Sequence, residues 1–204
     1  MANEMLIEET EYSYSHVQSG TMIRMPGMKR FISLRRGDGL YLLKLDVINE
    51  RIRAAAKVLA AYDNKGVVVT ASRIYAITPA KKFAELTGMR LVEGRVMPGT
   101  FTNPNRKDFT EPELILVSDT RNERQAVREA SKTNVPIIAL CDTDNWIKYV
   151  DLVIPCNNKS RRSLALVYWL LAREYLKEKG AIKSDDEFKP SISDFEAKVE
   201  IKIK

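Results

Sequence analysis

One histidine and two cysteines in 204 residues leave little material for the commoner kinds of catalysis. A thiol nucleophile at Cys141 or Cys156 would have to be activated by His16, which precedes every strand in the sequence pattern. His16 is therefore expected to pack or hydrogen-bond rather than to act as a base. Zinc needs paired Cys or His ligands at short spacing, and the chain supplies none. The two cysteines are far apart, with no C-x-x-C, and are expected as reduced core thiols rather than a disulfide. Neither G-x-G-x-x-G nor G-x-x-x-x-G-K-[ST] occurs, and the turn after the apolar run "GVVVTAS" has no glycine. Glycine there would let the backbone approach a phosphate, so its absence argues against a nucleotide cradle. No stretch of about 18 apolar residues exists, and no membrane span is expected. The first twenty residues are acidic and lack an apolar signal core, so secretion is not expected. No internal repeat is evident.

What is present is ordinary globular material: 45% hydrophobic, 29% charged, and long enough for one domain with a sizeable core. The net charge of +6 is moderate, but its distribution is uneven. Glu4, Glu8, Glu9 and Glu11 stand without a basic residue in the first twenty. Residues 21–53 then carry Arg24, Lys29, Arg30, Arg35, Arg36, Lys44, Arg51 and Arg53 against Asp38, Asp46 and Glu50. A clustered basic stretch suits either a polyanionic partner or a solvated face.

The order of elements is legible from periodicity. "RFISLRR" and "LYLLKLD" predict two short strands around Gly37-Asp38-Gly39. Asp46 is expected to cap a helix whose core face holds Val47, Ile48, Ile52, Ala55, Leu59 and Tyr62. "GVVVTAS" is continuous enough to be a strand buried on both faces. Thr78 and Pro79 are expected to open the next helix, with Pro79 at its first position and Gly88 closing it. "MRLVEGRV", "ELILVSD", "VPIIALC" and "DLVIPC" predict further strands. "NERQAVREASKT" and "KSRRSLALVYWLLAREYLKEK" predict helices, the last closed by Gly180. The terminal "KVEIKIK" alternates and is expected to pair with a sheet edge. Strands alternating with helices predict an α/β fold: a three-layer, doubly wound, flavodoxin-like sandwich around a mainly parallel sheet. Ligands of such folds bind beyond the carboxyl ends of the strands.

Those ends form a polar rim: Thr70, Ser72 and Arg73; Ser118, Asp119 and Arg121; Cys141, Asp142 and Asp144; Cys156, Asn157, Asn158 and Lys159. Asp142 and Asp144 form a D-x-D pair, able to hold magnesium beside a phosphorylated substrate. The same residue types punctuate turns and helix starts. The turn-forming reading is preferred, and a free-standing enzyme using Asp142 and Asp144 remains its alternative. A flavodoxin-like FMN carrier is a third possibility.

The cations sit where phosphates could reach them. Arg24, Lys29, Arg30, Arg35 and Arg36 lie in the first segment, and Lys81 and Lys82 are expected at a helix start. Arg95 precedes the loop "MPGTFTNPNRKDFTEP", which holds Asn103, Arg106 and Lys107. Lys159, Arg161 and Arg162 open the last helix. Positions of this kind suit phosphate-backbone contacts. No aromatic RNA-binding strand motif is present.

The run "PELILVSDTRNERQAVREASKTNVPIIALCDTDN" resembles the small-ribosomal-subunit protein S-two family in its archaeal form, which is related to the eukaryotic laminin-receptor precursor. Pro112, Ile115-Leu116-Val117, Asp119, Glu123, Val127, Glu129 and Asn134-Val135-Pro136 carry the match. "GRVMPGTFTNP" and "VDLVIPCNNKSRRSLALVYWLLAREYL" extend it over most of residues 29–180. Two departures stand out. "YSHVQSGT" spaces His16 and Gly20 more widely than the family's G-x-H-x-G. Residues 46–66 also hold a single helix where bacterial members insert a helical hairpin. The resemblance implies a cytoplasmic, non-catalytic constituent of the small ribosomal subunit, lying between head and body. It would support assembly and translation. It implies small-subunit ribosomal RNA and neighbouring ribosomal proteins as partners, with no cofactor, no membrane and no small-molecule substrate. An organisation follows: residues 1–28 as a docking arm, 29–180 as the globular domain, 181–204 as a tail. The fourteen residues Arg24 to Arg162 named in the preceding paragraph are the expected RNA contacts.

Overall fold

The computed structural model describes residues 5–198. Helix α1 (Glu9–Ser15) leads into a 3-10 turn at Pro26–Phe31 and an antiparallel hairpin of β1 (Ile32–Arg35) and β2 (Tyr41–Leu43). Gly39 adopts φ 87° at its tip, a conformation that suits glycine. Then come α2 (Leu45–Ala61), β3 (Val67–Ala71), α3 (Ile74–Thr87), β4 (Arg90–Glu93), β5 (Leu114–Val117), α4 (Arg124–Lys132), β6 (Ile137–Cys141), β7 (Leu152–Pro155), α5 (Arg161–Glu178) and α6 (Ile192–Phe195). The hairpin stands apart as a two-stranded sheet. The other five strands form one parallel sheet in the order β4-β3-β5-β6-β7, each neighbouring pair parallel. This is the doubly wound order expected from the sequence. The single helix α2 runs into β3 through a short 3-10 turn, without a helical hairpin.

The middle strands are apolar because both faces are covered. Every residue of β3, β5 and β6 is buried. Helix α5 packs against both α2 and α3 along one side, and α4 packs against β5 and β6. The loop 97–112 is fastened to α4: the Glu129 carboxylate accepts the Gly99 N–H at 2.7 Å and the Phe101 N–H at 2.9 Å. That bond lets a stretch without regular structure do the covering work of a helix, with Phe101 buried beneath it.

Three expectations need correction. Asp46 does not cap α2. Lys44 in extended conformation precedes the helix, and Asp46 lies within its first turn, where a carboxylate meets the positive end of the helix dipole. Pro79 does not open α3, which starts more than a turn earlier at Ile74. The missing N–H leaves the Tyr75 carbonyl without its usual donor, a loss tolerable because Ile74 and Tyr75 lie at an exposed helix end. Lys81 and Lys82 consequently sit in the middle of α3 and not at its start. Gly88 does terminate α3, at φ 73°.

The flanking segments are built onto the core. Tyr12 of α1 is fully buried and donates its hydroxyl to Asn49 of α2. Arg173, itself 4% exposed, donates from α5 to the Leu6 carbonyl at 2.7 Å. On the far side, the Trp169 indole donates to the Pro190 carbonyl at 2.7 Å and meets the Phe188 ring edge-on, while Phe195 of α6 is fully buried. The stretch "KVEIKIK" lies, apart from Lys198, outside the described residues. Because Phe195 fills the core rather than lying on it, Phe195→Ala is expected to destabilise the whole chain by about 3–5 kcal/mol in urea unfolding. A change below about 1 kcal/mol would show that the tail is only loosely attached.

Candidate nucleic-acid interface

The carboxyl edge of the parallel sheet, where a ligand of this fold would bind, is filled by the chain itself. After β6 the backbone turns through Asp142–Asn145. The Asn145 side-chain oxygen accepts the Asp142 N–H at 2.9 Å, and an Asp142 carboxylate oxygen accepts the Thr143 N–H at 2.6 Å. The Asn145 amide donates onward to Asp119 at 2.6 Å and Thr120 at 3.0 Å, tying this turn to the end of β5. Asn158, fully buried after β7, donates to the Leu140 carbonyl at 3.1 Å and to Asn145 at 3.2 Å. The expected role of these residues in fixing a turn is what the geometry displays.

The carboxylates of the rim face cations of the same chain. The Lys159 ammonium lies 3.0 Å from Asp142 and 2.6 Å from Asp144. Arg121 reaches the second oxygen of Asp144 at 3.2 Å, and Arg73 pairs with the fully buried Asp119 at 2.6 Å. Burial pushes the Asp142 carboxyl above its ordinary value against the pull of Lys159. The space between the two aspartates is thus taken by an ammonium group. Among the described residues, no group of three His, Cys, Asp or Glu side chains is arranged to hold a metal ion.

At the switch point between β3 and β5, the phosphate position of a flavodoxin-like fold is also taken. Glu123, at the foot of α4, accepts the N–H groups of Ser72 at 3.0 Å and Ser118 at 3.1 Å, and the hydroxyls of Thr70 and Ser72. A carboxyl group of the chain's own has occupied the donors that would cradle a foreign anion. Burial lifts this carboxyl to about 7 despite those hydrogen bonds, and the nearby Asp119 adds to the rise. The thiols of Cys141 and Cys156 are free, buried and pushed far up by burial, so they are inert. His16 is exposed rather than packed. It ends α1 at φ 56°, and its carbonyl accepts from Asn157.

The amino-terminal segment closes the edge from above. The Thr21 N–H donates to the Thr143 hydroxyl at 2.9 Å, and the Met25 N–H to the Thr143 carbonyl at 2.8 Å. Gly20 passes so close that a Cβ would stand 2.5 Å from the Thr143 methyl and 2.9 Å from the Tyr41 carbonyl. Residues 18–21 also bond along β2, with Gly20 to Tyr41 at 2.8 Å and Leu43 to Gln18 at 2.8 Å, so the hairpin is carried on this segment.

The cations expected to meet RNA divide into groups. Arg24 and Arg35 both stand over the Tyr41 ring, at 5.6 and 5.5 Å, and Arg36 pairs with the exposed Asp38 at 3.1 Å. Arg30 covers Phe31, and Lys29 precedes it in the same turn. Arg106 folds back on Asp108 and the Pro98 carbonyl beside Asn103, with Lys107 exposed between them. Arg161 and Arg162 meet Glu196, and Arg162 also covers Tyr14. Lys82, half-buried, pairs weakly with Glu85 at 3.8 Å, and Lys81 beside it is exposed. Arg95 borders a cleft with Arg124 and Arg128. Lys159 alone is turned inward. Arg124, Arg128 and Lys132, exposed on α4, escaped the sequence reading, although their four-residue spacing puts them on one helix face.

Two outcomes are expected. Lys159→Ala leaves two nearly buried carboxylates facing each other, and is expected to cost about 2–4 kcal/mol in urea unfolding at neutral pH. The loss should shrink toward acidic pH, as protonation relieves the repulsion. Glu123 titrates in the opposite sense to a paired carboxylate. Its raised value makes its contribution complete below about 4.5 and lost as pH rises through about 7. The wild type should therefore weaken relative to Glu123→Gln by on the order of 2–3 kcal/mol between pH 5 and 8. Parallel stability profiles would refute this assignment.

Comparison with known proteins agrees with the sequence pattern. A family model described as Ribosomal protein S2 matches residues 105–177. The chain is 50% identical over 199 residues to the small ribosomal subunit protein uS2 of Thermoplasma volcanium, covering 98% of this chain and 100% of that one. It is 49% identical over 199 residues to the protein of the same name from Thermoplasma acidophilum, again 98% and 100% covered. To that of Saccharolobus solfataricus it is 45% identical over 196 residues, covering 96% of this chain and 85% of the relative.

Proposed function

The chain belongs to the ribosomal protein S2 family, and from that premise we infer how it serves as a structural constituent of the small ribosomal subunit. It associates there with ribosomal RNA and neighbouring ribosomal proteins, and it is not an enzyme. The observation that carries the reading beyond the family is the filled carboxyl edge. The residues that would do chemistry in a related fold are bound to one another, and the cations are left on the outside. Lys159 joins Asp142 to Asp144, Arg73 meets Asp119, and Glu123 occupies the switch point. Among the described residues no helix is long and apolar enough to cross a membrane.

The contacts themselves are assigned as follows. Arg24, Lys29, Arg30, Arg35 and Arg36 meet RNA phosphates from the hairpin face. Lys81, Lys82, Arg95, Asn103, Arg106, Lys107, Arg161 and Arg162 contribute from separate loops and helices. Lys159 acts from within, holding the turn that seats the amino-terminal segment. Residues 1–28 serve as a docking arm, with Met22 and Ile23 exposed beside Arg24 to meet a protein or RNA neighbour. Residues 29–180 supply the rigid body and 181–204 the tail, whose Phe188 and Pro190 meet Trp169 of α5. Rigidity favours binding here, because guanidinium groups already propped on Tyr41 lose little freedom when a phosphate arrives.

Binding to small-subunit RNA should weaken steeply with salt, and replacing Arg35 and Arg36 by alanine should flatten the log–log slope by roughly 1–2. The variant should fold normally, yet co-sediment poorly with small subunits in a gradient. Normal co-sedimentation would remove these two residues from the contact surface.

A further inference from the structure

We propose that the outer face of α4 and the turn 146–149 form a second RNA site, separate from the hairpin face, that takes an unpaired nucleotide. Its base would stack on Trp146, and its phosphates would meet Arg124 and Arg128. A groove of about 800 Å³ lies here, lined by Thr120, Arg124, Arg128, Trp146, Lys148 and Tyr149. A smaller cleft of about 450 Å³ continues from Arg124 and Arg128 to Arg95 and Asn122. The larger volume lies within the range of sites that hold a nucleotide-sized ligand.

Three observations point to this occupant. The first is charge. Among the described residues Arg95, Arg124, Arg128 and Lys132 have no ion-pair partner, while the acids nearby are already bound: Glu123 by Ser72 and Ser118, Glu129 by Gly99 and Phe101, Asp144 by Lys159. The groove is thus cationic with its counter-charges used inside the fold. The second is aromatic exposure. Trp146 is 65% and Tyr149 54% exposed, in a protein whose other described tryptophan is half-buried and hydrogen-bonded. The third is backbone strain. Tyr149 sits at φ 69°, unfavourable for a bulky aromatic, in a turn closed by the Val150 N–H on the Ile147 carbonyl. The Tyr149 ring is exposed, so core packing does not account for that conformation, and strain of this kind gathers at ligand-holding positions. Aromatic faces beside unpaired arginines are the elements of single-strand recognition, where stacking tolerates any base and phosphates carry the affinity. An acidic peptide would use the cations but would leave the indole face unused.

The inference rests on the reading of the chain as an RNA-binding subunit component. The test is titration of dye-labelled oligouridine of about eight nucleotides with the full-length protein, following the anisotropy of the label at about 50 and 200 mM salt, with tryptophan emission followed in the wild type alone. Oligouridine is expected to quench the emission. Trp146→Ala should weaken its binding about tenfold, whereas Trp146→Phe keeps most of it. The pair Arg124→Ala and Arg128→Ala should weaken binding and lower the salt slope by about 1.4. Trp146 is exposed, so its variants should keep the wild-type circular dichroism. Equal affinity of wild type and Trp146→Ala overturns the site. So does an oligoglutamate of the same length that binds more tightly than oligouridine, which would assign the groove to a protein. A chain that binds structured subunit RNA but ignores oligouridine loses the α4 site alone; one that binds neither loses both readings.

Discussion

The ammonium of Lys159, held between the carboxylates of Asp142 and Asp144, is the joint on which the outer architecture depends. Two carboxylates this close and this buried would repel each other without it. With it they fix the turn after β6. That turn presents Thr143 to the amino-terminal segment: its hydroxyl accepts the Thr21 N–H and its carbonyl accepts the Met25 N–H. The segment, which itself carries Arg24, in turn bonds along β2 and supports the hairpin that displays Arg35 and Arg36. A partly buried ion triad therefore sets the position of guanidinium groups at the far end of a hydrogen-bonded chain.

The same fold elsewhere uses its carboxyl edge to hold something foreign. Here each chemical opportunity at that edge is closed from inside. The N–H groups at the switch point face Glu123, the aspartate pair faces an ammonium, and the cleft above is crossed by Gly20 at a distance that leaves no room for a side chain. Sealing the acids inward has an electrostatic consequence. The net charge of +6 understates the surface, because Glu123 and Glu129 are buried among neutral N–H and hydroxyl donors while most of the arginines are exposed. A polyanion meets a more cationic body than the composition suggests.

How far the sequence could be read depended on whether a residue's role was local. Gly88 after a helix, the alternation of strands and helices, and the buried run "VVV" are decided by near neighbours, and they stand as read. Asp46 and Pro79 misled for the opposite reason. A cap depends on where the preceding residue points, and Lys44 had already taken that position. A proline marks a helix start only when nothing upstream is helical, and burial of Ala76, Pro79 and Ala80 against the core recruited the preceding turn. Helix α1 had weak local signals and forms because Tyr12 finds a buried partner on α2. Arg124, Arg128 and Lys132 were visible as letters but not as a site. Their meaning comes from Trp146 and Tyr149, which approach from another turn of the chain.

The sequence by itself determined the class of fold and the family, since hydrophobic periodicity dictates which faces must be buried and a long run of matching residues leaves few alternatives. It also determined that the chain lacks the histidines, cysteines and glycine turns that most catalysis would need. Whether "CDTDN" was an active site or a joint was decided only by tertiary structure. Asp142 and Asp144 carry the same chemistry in either case. What separates the two roles is Lys159, fifteen residues beyond Asp144 and brought between the carboxylates only when β7 pairs with β6. An ionisable group takes its role from the charge and burial around it, and those are properties of the folded chain.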